Sequence, residues 1–133
     1  MVEKDKKYKI LLVDDDNFML DMYSVKFKER GFDVHASLDS KKALEKLREG
    51  FRPDVMLFDI IMPSMDGFEF LEKIKEENLK NKSILIALSN QWQEEDIEKV
   101  KGLGADDYLI KANMVPSEVL DKVEKLIKEY NKN

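Results

Sequence analysis

Four groups of polar residues stand where short apolar runs stop. Ile10–Val13 ends in Asp14-Asp15-Asp16, Val55–Phe58 in Asp59, Ile84–Leu88 in Ser89-Asn90, and Tyr108–Ile110 in Lys111. Carboxylates carried by two neighbouring strands can share a hard divalent cation such as Mg2+, which prefers oxygen ligands and keeps several waters. A serine hydroxyl and a lysine ammonium beside them would suit a phosphoryl group, whose oxygens want donors and positive charge. Carboxylates alone repel such a group; with a cation and Lys111 they can hold one. Each residue also has a plainer reading. Asp15 or Asp16 can cap a helix, Met62-Pro63-Ser64 and Asp66-Gly67 are turn chemistry, and Lys111 or Ser89 alone would be an ordinary surface residue. It is the four together that make a coherent set.

The elements that must position this set follow from the pattern. The runs at Ile10–Val13, Val55–Phe58 and Ile84–Leu88 are nearly continuous in Ile, Leu, Val and Met, as strands buried on both faces are. A weaker run, Val34–Ala36, carries His35 and ends in Ser37. Between the runs lie helical spacings. Phe18, Met22 and Val25 share a first stripe that stops at Gly31. Ala43, Leu44 and Leu47 form a second, opened by Asp39 or Ser40 and closed by Gly50. Gly67, Phe70, Leu71 and Ile74 make a third, and Ile97, Val100 and Leu103 a fourth. Val119, Leu120, Val123, Leu126, Ile127 and Tyr130 make the last, with Pro116 in its first turn. Strand and helix thus alternate five times, which predicts an α/β fold with a doubly wound parallel sheet. Ligands of such sheets bind beyond the carboxyl ends of the strands, where the four polar groups stand.

The chain has 133 residues, 23 basic and 28 acidic, a formal net charge of −5, one histidine and no cysteine. That length suits one compact domain. Without cysteine there are no disulfides, thiolate zinc sites or thiol nucleophiles. One histidine argues against multi-histidine metal sites and histidine-centred hydrolysis. The acidic balance argues against direct nucleic-acid binding. No apolar run suggests membrane insertion, and the charged flank 1–7 is unlike a signal peptide, so a cytoplasmic protein is expected. Gly102-Leu103-Gly104 mimics a dinucleotide fingerprint but lacks its third glycine and follows a helix, so it carries no weight.

The chain resembles the receiver domain of two-component response regulators over about residues 9–128. The resemblance rests on Leu11-Leu12-Val13-Asp14-Asp15-Asp16, on Phe58-Asp59-Ile60-Ile61-Met62-Pro63-Ser64-Met65-Asp66-Gly67, on Ala87-Leu88-Ser89, and on Gly104 through Lys111. It implies a flavodoxin-like five-stranded sheet in the order 2-1-3-4-5 and a single receiver domain over 1–133. It implies Asp59 as phosphoacceptor and Asp14, Asp15, Asp59 and the Ile61 backbone carbonyl as Mg2+ ligands, Asp14 mainly through water. Lys111 and Ser89 would contact the phosphoryl oxygens, and Tyr108 would be an aromatic switch. The implied donor is a sensor histidine kinase or histidine phosphotransfer protein. The implied output is a change in protein–protein contacts with a downstream target through the fourth helix, fifth strand and fifth helix. On this reading the chain is a stand-alone switch and not an enzyme.

The match departs from the family's pattern after Lys111, where Ala112-Asn113 replaces a proline that commonly follows a cis bond. A non-proline cis bond costs ~2.5–4 kcal/mol, so a trans or a strained bond is expected. Asn90 is bulkier than the small residue usual there, and Ile61 and Gln91 occupy positions tied to phosphoryl lifetime in the family. Two other readings compete. One is a phosphate-insensitive interaction module. The other is a small Mg2+-dependent phosphohydrolase of the haloacid dehalogenase type, with Asp14 as nucleophile and Asp59 left without a role.

Overall fold

The computed structural model describes residues 7–90 and 93–131. Its order is β1 (Lys9–Val13), α1 (Asn17–Glu29), β2 (Asp33–Ser37), α2 (Ser40–Arg48), β3 (Val55–Phe58), α3 (Gly67–Glu76), β4 (Ile84–Ser89), α4 (Glu94–Gly102), β5 (Asp107–Ile110) and α5 (Pro116–Tyr130). The strands form one parallel sheet in the order β2-β1-β3-β4-β5, the expected topology. Every residue of β3 and β4 is buried, which is why those runs lack polar alternation.

Two apolar layers sandwich the sheet. Leu20, Tyr23 and Phe27 of α1 and Val119, Val123 and Ile127 of α5 pack on one face. Leu44 and Leu47 of α2, Phe70 and Ile74 of α3, and Val100 of α4 pack on the other. Three aspartates start helices: Asp16 accepts from the Met19 N–H (3.2 Å), Asp39 from Lys41 (2.8 Å) and Asp66 from Glu69 (2.9 Å). Each such cap contributes about 1 kcal/mol. Of the two capping candidates for α1, Asp16 takes the role and leaves Asp14 and Asp15 to the sheet's edge.

The stripe expected for α1 is the wrong one. Phe18 is 76% exposed and Val25 56%, whereas Leu20, Tyr23 and Phe27 are buried. Both sets have helical spacing, because the apolar residues of α1 fall on more than one face. Periodicity therefore could not choose between them. In α4 only Val100 is fully buried, with Ile97 and Leu103 packed at the margin. Tyr130 is 42% exposed, its hydroxyl donating to Asp106 Oδ1 at 2.7 Å, so it is a tether and not core.

Candidate functional site

Strand register brings the polar groups together. Val13 is aligned with Phe58, so Asp14 and Asp59 leave neighbouring strands at one level. Ser89 is aligned with Ile110, and Lys111 follows at once, on a single 3-10 turn of Lys111–Asn113. The ladder continues one step past the strands: Asp59 N–H donates to the Val13 carbonyl at 2.9 Å and Asp14 N–H to that of Ser37 at 3.2 Å. No peptide bond among the described residues is cis, so the Lys111–Ala112 bond is trans.

Lys111 reaches back across the sheet. Its Nζ donates to Asp14 Oδ2 at 2.8 Å and to Asp59 Oδ2 at 3.1 Å, with all three side chains about nine-tenths buried. The remaining oxygens are held by backbone. Asp14 Oδ1 accepts from Asp16 N–H at 2.9 Å, and Asp59 Oδ1 from Ile60 N–H at 2.7 Å and more distantly from Ile61 at 3.4 Å. Asp15 is exposed, and one carboxylate oxygen from each of Asp14, Asp15 and Asp59 lies within 4.8 Å of the others. Three carboxylates thus cluster around a site where one ammonium pairs with two of them, Asp14 and Asp59. This donor set is all hard oxygen, in excess negative charge and open on the Asp15 side. It fits Mg2+, which takes a few carboxylates and keeps waters.

Ser89 is fully buried and hydrogen-bonded to Tyr108, whose ring is also buried. Burial pushes the Tyr108 phenol up, the Ser89 hydrogen bond opposing it. Tyr108 is thus turned inward here. Ile61 lies on the loop after Asp59 with its side chain exposed, and Gln91 lies outside the described residues.

The charge balance predicts how stability responds to pH. Burial raises the Asp14 carboxyl above 3.8, and the hydrogen bond from Lys111 only partly opposes it. Lys111 is itself raised, its two carboxylate partners outweighing burial. The partners therefore point in opposite senses, because one ammonium is divided between two acids and neither acid is fully compensated. A carboxyl raised in the folded state binds more protons there than in the unfolded chain, so its ionisation destabilises the fold. In metal-free protein this penalty is fully present above Asp14's raised value and is relieved as pH falls from there towards 3.8. At neutral pH, Asp14→Asn is expected to stabilise the metal-free chain by roughly 0.5–2 kcal/mol. Thermal unfolding without Mg2+ checks this, and the gain should shrink on acidification.

The family model described as "Response regulator receiver domain" matches residues 10–124, and the chain belongs to that family. It is 30% identical over 122 residues to the alkaline phosphatase synthesis transcriptional regulatory protein PhoP of Bacillus subtilis, covering 90% of this chain and 48% of that one. The chain spans about half the length of the curated relatives it matches. Among solved structures, the receiver domain of the Francisella response regulator 1452 is 31% identical with a TM-score of 0.82, covering 92% of this chain and 98% of that one. A CheY-like receiver domain from Methanospirillum hungatei is 29% identical with a TM-score of 0.85, covering 96% and 98%. Receiver domains act in phosphorylation-controlled signalling, and Mg2+ binding at an acidic pocket is general to them. Among the described residues no helix is long and apolar enough to cross a membrane.

Proposed function

We propose that this receiver domain accepts a phosphoryl group on Asp59 from the phosphohistidine of a partner kinase or phosphotransfer protein. The observation that supports this best is the Lys111 bridge between Asp14 and Asp59, with Asp15 at its open side. Asp59 Oδ2 attacks phosphorus, the P–N bond breaks with its electron pair passing to the imidazole, and an acyl phosphate forms. The transition state is loose, so positioning and charge neutralisation do most of the work. Asp14, Asp15 and Asp59, with the Ile61 carbonyl, would hold Mg2+, which when bound supplies positive charge at the phosphoryl oxygens. Lys111 supplies the rest by shifting from the carboxylates to the new group, and Ser89 donates to it.

Recruiting Ser89 breaks or redirects its bond to Tyr108, and that exchange links the site to β5. Phosphorylation so biases a two-state element at the α4–β5–α5 face, altering contacts with a downstream protein. Three exposed apolar side chains stand close in sequence to the site residues. Phe18, Ile61 and Val115 are all exposed, and each lies within four residues of a site carboxylate or of Lys111.

Intact-mass measurement tests the reading. With acetyl phosphate and Mg2+ the chain should gain one phosphoryl group, and a chelator should prevent it. Absence of any gain, together with failure to bind Mg2+, would leave a phosphate-insensitive binding module.

A further inference from the structure

Tyr23 is a polar side chain that the proposed reaction leaves unused. It lies on the inward face of α1, three residues from Leu20 and four from Phe27, 5% exposed. A position packed against Leu12, Leu57 and Leu88 could be filled by any apolar residue. Here it carries a hydroxyl, which makes no hydrogen bond to another described residue. The hydroxyl is not sealed from solvent, so it is free to donate, which no apolar residue at this position could do.

Tyr23 lines a cavity of about 10 Å3 together with Asp14, Asp59, Leu20, Leu57 and Leu88. That volume is about enough for one water molecule. Burial raises the phenol, and it feels the charges of both Lys111 and Asp14, so it stands within electrostatic reach of the ion pair. It remains the neutral donor form at physiological pH.

Asp14 needs such a donor at one moment. Its Oδ1 is held by the Asp16 N–H, but its Oδ2 is held by Lys111. When Lys111 is drawn to a phosphoryl group, Asp14 Oδ2 loses that partner while remaining buried. A second ammonium there would compete with the cation the carboxylates are meant to bind. A hydroxyl would not.

The geometry points to Tyr23 as a positioning residue that donates to Asp14, directly or through one water in the shared cavity, once Lys111 has turned to the phosphoryl group. This rests on the proposed phosphoacceptor site. Asp14 then keeps its orientation toward the acidic cluster through the transfer, with a donor on Oδ2 in place of the departed ammonium.

Tyr23→Phe tests it, because the ring and its packing stay and only the hydroxyl goes. Calorimetry would follow the full chain binding beryllofluoride, a phosphoryl mimic, in the presence of Mg2+, and binding Mg2+ alone. Tyr23→Phe should weaken beryllofluoride binding about tenfold, change binding of Mg2+ alone less than twofold, and leave the ligand-free unfolding midpoint nearly unchanged. In an Asp14→Asn background, the same substitution should cost little further. Unchanged beryllofluoride affinity in Tyr23→Phe would overturn the inference. So would an equal loss in both backgrounds, since the hydroxyl would then act on the fold and not on Asp14. If the parent itself takes no beryllofluoride with Mg2+, the phosphoacceptor reading fails and takes this inference with it.

Discussion

Asp59→Asn is expected to abolish phosphoryl uptake from acetyl phosphate while leaving the fold intact. The chemical reason is that an amide oxygen is a far weaker nucleophile than a carboxylate, and its product would be a charged, unstable adduct. The structural reason lies in how Asp59 is held. Oδ1 only accepts, from the N–H groups of Ile60 and Ile61, and an asparagine carbonyl can do the same. Oδ2 faces Lys111 at 3.1 Å, but Lys111 has Asp14 closer, at 2.8 Å. Replacing Asp59 therefore leaves the ammonium paired and relieves crowding among three carboxylates.

Intact mass should show full labelling in the parent and none in the variant, with the two unfolding at similar temperatures or the variant slightly higher. The result also separates two chemistries. A hydrolase working through Asp14 would survive Asp59→Asn and lose its covalent intermediate in Asp14→Asn. In the receiver mechanism Asp14→Asn weakens the cation site but leaves the acceptor oxygen present, so slow labelling should persist at high Mg2+. Labelling that survives Asp59→Asn and vanishes in Asp14→Asn would overturn the assignment of Asp59.

Much of this site was legible because buried parallel strands are apolar from end to end. Where Ile10–Val13 or Val55–Phe58 stops, the next residue must emerge at the sheet's carboxyl edge, so Asp14 and Asp59 could be placed before any contact was known. The alternation of strand and helix carried the rest of the topology. What could not be read was which side of a helix with apolar residues on more than one face turns inward. Phe18 and Phe27 are equally apolar, and only the packing of α1 against β1 and α5 decides that one is solvent and the other core. That same ambiguity hid Tyr23, whose place beside Asp14 depends on the rotation of α1. Nor does composition reveal that Lys111 divides itself between two acids, since that depends on side-chain reach across two strands. The replacement of proline by Ala112 was visible, but its outcome, a trans bond entering a 3-10 turn that still brings Lys111 to the carboxylates, depends on the loop's own geometry.

Gly67→Ala should be the most damaging single methyl group that can be added near the site. Gly67 opens α3, and its N–H donates to the Ile60 carbonyl at 2.7 Å. A Cβ at this position would lie 2.7 Å from the Asp59 carbonyl oxygen and 2.7 Å from the Ile60 Cα. Both contacts are backbone and cannot swing aside as a flexible side chain would. Two effects oppose each other. Alanine is the better helix former by ~1 kcal/mol in a helix interior, and by less in a first turn. Overpacking against rigid atoms costs about 1–3 kcal/mol and occasionally more. The steric cost wins, and a net loss of about 2 kcal/mol is a large share of the ~5–15 kcal/mol that holds a domain folded.

The unfolding midpoint should fall by roughly 5–10 °C on the usual entropy scaling. Gly102→Ala is the matched control, since Gly102 closes α4 with nothing within 4 Å of its added Cβ and should be neutral or mildly stabilising. If both variants unfold like the parent, the close approach of α3 to the Asp59 backbone is not real. If only Gly67→Ala falls, the same variant should also be labelled more slowly by acetyl phosphate than Gly102→Ala at a temperature where both are folded. The added methyl can be accommodated only by moving the Asp59–Ile60 backbone, and with it the carboxylate that Lys111 and the Ile60 N–H hold in place. Loss of stability with unchanged labelling would show that the strain is absorbed in α3 instead.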